Sequence, residues 1–402
     1  MAVSEPTTLP PADWMKRPGL DRIAMALGAD AGAVRYVGGA VRDTLLGIPV
    51  ADIDVATIHP PQEVVRRLAT AGIKAVPTGI AHGTITAVAD GTVVEVTTLR
   101  RDVTTDGRHA EVAFTDDWQA DAARRDFTMN ALYADMNGHA LHDYFGGIAD
   151  LRAGRVRFIG DPLRRIAEDH LRILRFFRFL ARFGDKPDAD GLGACVARAN
   201  DLMALSRERI ADELLKLLVA RDAVGVLRLM VENAIWQPVL PELDGAAIDR
   251  FGALVAAEAA AGIEPDPIRR LAALLDSDDA DGVTARLKLS NAQRKRIALA
   301  LGDVSDSPLS LGYRLGVESA VDRLLLADDP AAAAMVARWT RPTLPLSGGA
   351  LVERGLARGP DVARALRQIE DRWIAEGFPA AGRTAQIADD VVAQALRASS
   401  NA

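Results

Sequence analysis

Cysteine is almost absent: Cys195 is the one thiol in 402 residues. That excludes an intramolecular disulfide and any cysteine-built zinc site, and leaves a small buried hydrophobe as the expected state of the side chain. Histidines number six. His142 beside Asp143 suggests a metal-dependent phosphohydrolase, but no further pair at ligand spacing accompanies it, so it reads as structural. Aromatics are scarce at 5% and aliphatics plentiful. No apolar run approaches the length of a membrane span, and the N-terminus lacks a basic region followed by an apolar block, so the expectation is a cytoplasmic chain with no membrane partner. Positive charge is not in excess: the net charge is −7, which argues against indiscriminate nucleic-acid binding by the whole surface and leaves room for a local patch. Nothing calls for an obligate protein partner. With 49% hydrophobic and 26% charged residues, the composition is that of a globular chain with room for two to four domains. There is no internal repeat.

What is present centres on Tyr36 to Val55. Val34 to Val37 reads as a strand, Gly38-Gly39 as a turn, and the segment from about Ala40 to Gly47 as a helix. Adjacent glycines allow a ligand close to the backbone, and a helix start offers unpaired N–H groups to an anion, so the turn suits a phosphate. A second strand, Val50 to Thr57, carries Asp52 and Asp54. Strand side chains alternate, which puts both carboxylates on one face, and two hard oxygen ligands suit Mg²⁺. Triphosphate at the turn and metal at the strand point to phosphoryl or nucleotidyl transfer.

Around this stretch the chain is conventional. Residues 1 to 17 read as a loose leader with no chemistry, followed by a short amphipathic helix ending at Gly28. Pro60-Pro61 starts a helix through about Ala71. His82 to Ala89 and Thr92 to Leu99 flank Asp90-Gly91 as a hairpin. Glu95 on the second arm is either a third acid for the metal or a solvated strand residue. Arg100 to Ala110, charged and interrupted by glycine, reads as a mobile loop. Arg125, in Arg124-Arg125-Asp126-Phe127-Thr128, has the planar fork that holds two phosphate oxygens. From Asp161-Pro162 onward the pattern is helical. Leu163 to Phe183 reads as one helix with Ile166, Ile173, Phe177 and Leu180 as its apolar stripe. Arg152 to Arg182 holds nine arginines against three acids, a basic patch suited to phosphates. Asp169 and Arg172, three apart on that expected helix, would lie side by side. From spacing alone such a pair reads as an i,i+3 surface ion pair.

In this order, Gly38-Gly39-Ala40-Val41-Arg42-Asp43, Asp52-Ile53-Asp54, Arg124-Arg125-Asp126, Glu168-Asp169-His170-Leu171-Arg172 and the capped helix from Ser206 to Leu218 resemble the motifs of class II tRNA nucleotidyltransferases and bacterial poly(A) polymerases, of the DNA polymerase beta-like superfamily. The resemblance implies an α/β catalytic head with a mixed antiparallel sheet, of the nucleotidyltransferase fold, followed by an all-α neck, body and tail. It implies domains over 1–30 (leader and short helix), 31–160 (head), 161–220 (neck with the base-selecting helix), 221–300 (body) and 301–402 (RNA-binding tail). It further implies template-independent addition of CCA to the tRNA 3′ end from CTP and ATP. Two Mg²⁺ ions would sit on Asp52 and Asp54, the phosphates on Gly39, Arg42 and Arg125, and the base on Asp169 and Arg172, with Arg175 and Arg178 also at the nucleotide. The loop near residue 105 would serve the change from adding C to adding A. A poly(A) polymerase, or an enzyme adding only CC or only A, shares these motifs, and an inactive RNA-binding relative is the alternative outside the enzymes. Arg294, Lys295 and Arg296 are either RNA contacts or solvated helix charge, and Pro345 to Pro379 resembles a segment that would grip the tRNA elbow.

Overall fold

The computed structural model describes residues 7–80, 83–106 and 109–400, without the side chains of 102–112 and 398–400. His82, the first six residues of the expected leader and the tip of the expected mobile loop lie outside the described residues. The chain divides into two units, Met1–Pro241 and Glu242–Ala402. The division falls some twenty residues beyond the expected neck–body boundary.

Alternating Val, Ile and Thr residues build the first unit around one sheet. Its elements run α1 (Leu20–Ala26), β1 (Val34–Val37), α2 (Gly39–Leu45), β2 (Ile53–Thr57), α3 (Pro61–Thr70), β3 (Lys74–Gly79), β4 (Thr84–Ala89) and β5 (Thr92–Thr98). There follow β6 (Arg100–Asp106), β7 (His109–Phe114), α4 (Trp118–Ala123), β8 (Leu132–Asp135), β9 (Leu141–Asp143), α5 (Gly147–Arg152) and β10 (Arg155–Val156). The seven strands lie in the order β3-β4-β5-β2-β1-β8-β9. Every neighbouring pair is antiparallel except β2 with β5, which run parallel with Asp54 opposite Glu95. The mixed sheet expected for the head is therefore present, with β3 an edge strand not anticipated from the sequence. The Asp90-Gly91 hairpin forms with positive φ at both residues, 49° and 85°, as a two-residue turn between twisted strands requires. Val37, Ala56, Leu99, Ala122, Ala131, Tyr133 and Ile159 form a core cluster of this unit.

Two expectations are corrected here. Arg100 to Ala110 is not a loop, because β6 and β7 pair as a two-stranded antiparallel ribbon with Arg100 opposite Phe114. Val and Thr in β6 and Val and Phe in β7 favour extended pairing over the mobility suggested by charge. Nor is the leader wholly loose: Leu9 is buried, Thr8 bridges to Ala140, and Asp13–Lys16 form a 3₁₀ turn around buried Trp14.

The unit continues with α6 (Pro162–Glu168), α7 (Leu171–Phe183), β11 (Lys186–Pro187), α8 (Ala189–Ala197), α9 (Arg207–Leu218) and α10 (Ala223–Glu232). The single helix expected over Leu163–Phe183 is thus broken. Asp169 adopts φ −153° and ψ 108°, outside the helical region, and its Oδ1 accepts from the Leu171 N–H at 3.1 Å. An aspartate favours such capping over a place within a helix. The expected stripe is buried as read, and Phe176 with it. The Phe176 ring stacks on Phe158 with centroids 5.5 Å apart, while Phe179 packs on Phe127 at 5.2 Å. These contacts fix α7 against the sheet-bearing part of the unit.

The second unit consists of α11 (Gly245–Ala261), α12 (Pro267–Ala273), α13 (Ser277–Arg286), α14 (Asn291–Ala300), α15 (Pro308–Leu315), α16 (Val317–Leu326), α17 (Pro330–Ala337), α18 (Gly348–Glu353), α19 (Pro360–Ala375) and α20 (Ala381–Ser400). The acidic stretch from Asp276 to Gly282 lies mostly within α13. Arg296, a candidate RNA contact, pairs with Asp322, Asp266 and Glu318, and Arg294 pairs with Asp281. Leu351, Leu356, Ile369, Ile387 and Val391 form a separate small core of α18–α20.

Candidate nucleotide cleft

The turn between β1 and α2 needs glycine at its first position. Gly38 has φ 66° and ψ −119°, and a Cβ there would lie 3.5 Å from Arg125 Nη1. Gly38 and Gly39 open onto a cleft of about 380 Å³ that also meets Arg42, Asp54, Arg124, Arg125, Asp126, Asn130, Asp169, Arg172, Arg175 and Phe179. Seven of the nine predicted site residues therefore share one cavity. Asp52 lies instead in an adjoining concavity of about 470 Å³ with Asp54, Glu95 and Thr86, so Asp54 stands where the two meet.

Asp54 is the electrostatic outlier. Burial first, then the charges of Glu95 and Asp52, raise its pKa to about 6 against the pull of Arg125. Glu95 is its in-register neighbour on β5 and so takes part as a charge. A carboxylate held high by burial and two acids is under-compensated by Arg125, the environment a divalent cation satisfies. Among the described residues no three His, Cys, Asp or Glu side chains gather as ligands. The protein would then supply the two aspartates, and phosphate and water oxygens the rest.

The cationic wall is held rigidly. Arg125 donates from Nε to Tyr133 Oη at 3.1 Å and from Nη2 to Asp121 Oδ2 at 3.2 Å. Burial opposes its charge, but Tyr133 and Asp121 more than offset this and its pKa is raised. Asp121 is brought down to about 2: burial works against ionisation, and Arg125 and Arg124 outweigh it. Arg42 is buried, paired with Asp43 at 2.7 Å, and donates to Asn130 Oδ1 at 2.6 Å. Asn130 donates in turn to Asp126 at 3.0 Å, and Asp126 Oδ2 accepts from Arg175 Nε at 2.8 Å. One chain of polar contacts thus runs from α2 to α7. Phe179 carries the guanidinium groups of Arg42 and Arg175 at 5.3 and 5.4 Å from its ring centroid.

The helix break changes the geometry of the predicted base-reading pair. Asp169 and Arg172 do not pair with each other. Asp169 takes two bonds from Arg209 Nη2 on α9, at 2.9 and 3.1 Å. Arg172 Nη1 donates to Glu168 at 2.5 Å and to the Arg165 carbonyl at 2.9 Å. Each is held by its own partner, and both reach the cleft. Arg178 stands elsewhere: Nε donates to buried Glu213 at 2.5 Å, and its guanidinium lies 4.4 Å from the Phe179 centroid. His142 bonds Asp135 at 2.8 Å, a structural role.

Arg124, Asp126, Asn130 and Phe179 also line the cleft, although the sequence reading gave them no role. For Phe179 a signal existed, since Arg172, Arg175 and Phe179 share one helical face at i, i+3 and i+7. For Glu168 the signal was its i,i+4 spacing to Arg172; for Arg209 there was none, because its partner Asp169 lies on a distant stretch of chain.

A nucleotide-polymerising head is the class of protein this fold and cleft define: residues 34–157 match a family model described as "Poly A polymerase head domain", and 188–246 one described as "Probable RNA and SrmB- binding site of polymerase A". The chain is 34% identical over 381 residues to mitochondrial CCA tRNA nucleotidyltransferase 1 of Mus musculus, spanning 90% of this chain and 87% of that protein. It is 38% identical over 210 residues to the CCA-adding enzyme of Anoxybacillus flavithermus, 52% of this chain and 51% of that one. It belongs to the CCA tRNA nucleotidyltransferase family. Among solved structures, the Bacillus stearothermophilus CCA-adding enzyme in complex with CTP matches with TM-score 0.68 and 26% identity, over 90% of this chain and 94% of that one. The Thermotoga maritima CCA-adding enzyme complexed with tRNA shares the fold, with TM-score 0.68 and 20% identity over 93% and 95%. No helix among the described residues is long and apolar enough to cross a membrane.

Proposed function

We propose that this chain adds CMP twice and AMP once to the 3′ end of tRNA from CTP and ATP, releasing pyrophosphate, without a nucleic-acid template. The observation that carries the reading is a single cleft in which Asp54, the Gly38-Gly39 turn, Arg125 and the pair Asp169 and Arg172 meet. Asp52 and Asp54 would hold two Mg²⁺ ions, which would supply Lewis-acid activation of the 3′-hydroxyl and charge neutralisation for pyrophosphate.

The remaining steps belong to side chains. Gly38 and Gly39 admit the triphosphate close to the backbone, and Arg125, locked by Tyr133 and Asp121, presents a fixed positive charge that needs no reorganisation during transfer. Arg42 and Arg175 extend that charge along the cleft. Asp169 accepts from the exocyclic amino group of cytosine or adenine, and Arg172 donates to the adjacent ring nitrogen. Arg209 and Glu168 set the two side chains at the start, so the edge read by the base is assembled before it arrives. The helical tail, residues 301–402, grips the tRNA, and the reaction takes place in the cytoplasm.

The test is extension of a tRNA transcript lacking its 3′ end, with CTP and ATP supplied singly and together. The expected result is two additions with CTP alone and three with both. Long tails from ATP alone would overturn the reading in favour of a poly(A) polymerase, and arrest after two additions with both nucleotides would reassign the chain as a CC-adding enzyme.

A further inference from the structure

The turn carrying Asp52 is held by a residue outside every motif named above. The β2 ladder opens with Ile53 opposite Val94, so Asp52 lies one residue beyond the hydrogen bonds of the sheet. From Gly47 to Asp52 the chain has neither helix nor strand. There Arg17 intervenes: Nη2 donates to the Val50 carbonyl at 3.0 Å and Nη1 to the Ala51 carbonyl at 3.2 Å. The planar guanidinium fork spans two successive carbonyls, which the compact, rotating ammonium of a lysine does not match.

Arg17 is itself anchored. Its N–H donates to the Trp14 carbonyl at 3.2 Å, buried Trp14 donates from Nε1 to Thr44 Oγ1 on α2 at 2.9 Å, and the Trp14 ring meets Tyr36 of β1 edge-on at 4.8 Å. The segment before α1 therefore grips α2 and the turn after it together. Arg17 also lines the concavity of Asp52, Asp54 and Glu95, where its charge, acting alone, would repel a cation.

We propose that Arg17 is a positioning residue for Asp52: by clamping the Val50 and Ala51 carbonyls it sets the carboxylate where a divalent ion is bound, and so extends the active site into the N-terminal segment. The inference rests on the reading that Asp52 and Asp54 hold divalent cations. Groups that orient metal ligands from outside the coordination sphere typically contribute about 10- to 100-fold in affinity or activity.

The test uses the full chain with Mn²⁺ alone as the probe, read by water-proton relaxation, for the unaltered protein, Asp52→Asn, Arg17→Ala and Arg17→Lys. The expected result is an Mn²⁺ site lost in Asp52→Asn and weakened about tenfold in both Arg17 variants, with kcat falling about as far and the KM for CTP unchanged. Tighter Mn²⁺ binding in Arg17→Ala with no change in Arg17→Lys would overturn the proposal, since that is the signature of charge alone. Unchanged binding in both would overturn it as well, and Arg17→Lys carries the test if Arg17→Ala fails to fold. A site sensitive to Asp52→Asn but indifferent to Arg17 sinks this inference alone, whereas a site indifferent to Asp52→Asn sinks the metal reading and this inference with it.

Discussion

Replacing Asp54 by Asn should abolish activity and stabilise the metal-free protein, with a pH dependence whose sign follows from the site. The pKa of Asp54 rises from 3.8 to about 6, chiefly through burial and then through Glu95 and Asp52. Between those values the folded chain binds more protons than the unfolded one, so the native state loses stability as pH rises through the window. The full difference, about two pH units at about 1.4 kcal/mol each, is about 3 kcal/mol above pH 6. Asn removes the ion and with it that cost. Measured by differential scanning fluorimetry in chelator, Asp54→Asn should melt about 5–10 °C above the unaltered chain at pH 8 and within a few degrees of it at pH 4. Added Mg²⁺ should narrow the gap at pH 8, because the cation binds the carboxylate of the unaltered chain and has one ligand fewer in the variant. A variant no more stable than the unaltered chain in chelator at pH 8, or a gap that shrinks as pH rises, would refute the reasoning. Stability given up at a site in return for function is the general pattern.

Three further outcomes follow from the cleft. Arg178→Ala leaves Glu213 buried without its closest cation and should cost about 3–5 kcal/mol in chemical denaturation; in the folded fraction the KM for CTP should be unchanged, whereas Arg175→Ala should raise it. Arg209→Ala removes a half-exposed pair and should cost under about 1 kcal/mol of stability, yet raise incorporation of UTP and GTP in primer extension because Asp169 loses its orienting partner. Gly38→Ala places a side chain at φ 66° beside Arg125; the strain of about 1–3 kcal/mol should appear as a lower melting temperature together with a higher KM for both nucleotides.

The chain by itself determined the strand, the Gly-Gly turn and Asp54 of β2, because these depend on neighbours within a few residues: alternation, turn geometry and capping are local. The Asp90-Gly91 hairpin and the helix after Pro60 were legible for the same reason. The break at Asp169 was not. Neither glycine nor proline marks it; Asp169 leaves the helical region there and its side chain accepts from the Leu171 N–H. The partner of Asp169 was hidden as well, since Arg209 lies forty positions away from it. The polar chain from Arg42 through Asn130 and Asp126 to Arg175 joins α2 to α7 across more than a hundred residues, and only folding brings such groups within 3 Å. Asp52 shows the division most plainly: its carboxylate was readable from a three-residue pattern, but the peptide that carries it lies outside the sheet, and what holds that peptide is an arginine from a segment with no motif at all. Local sequence chose the chemical groups; tertiary packing chose which of them face one another.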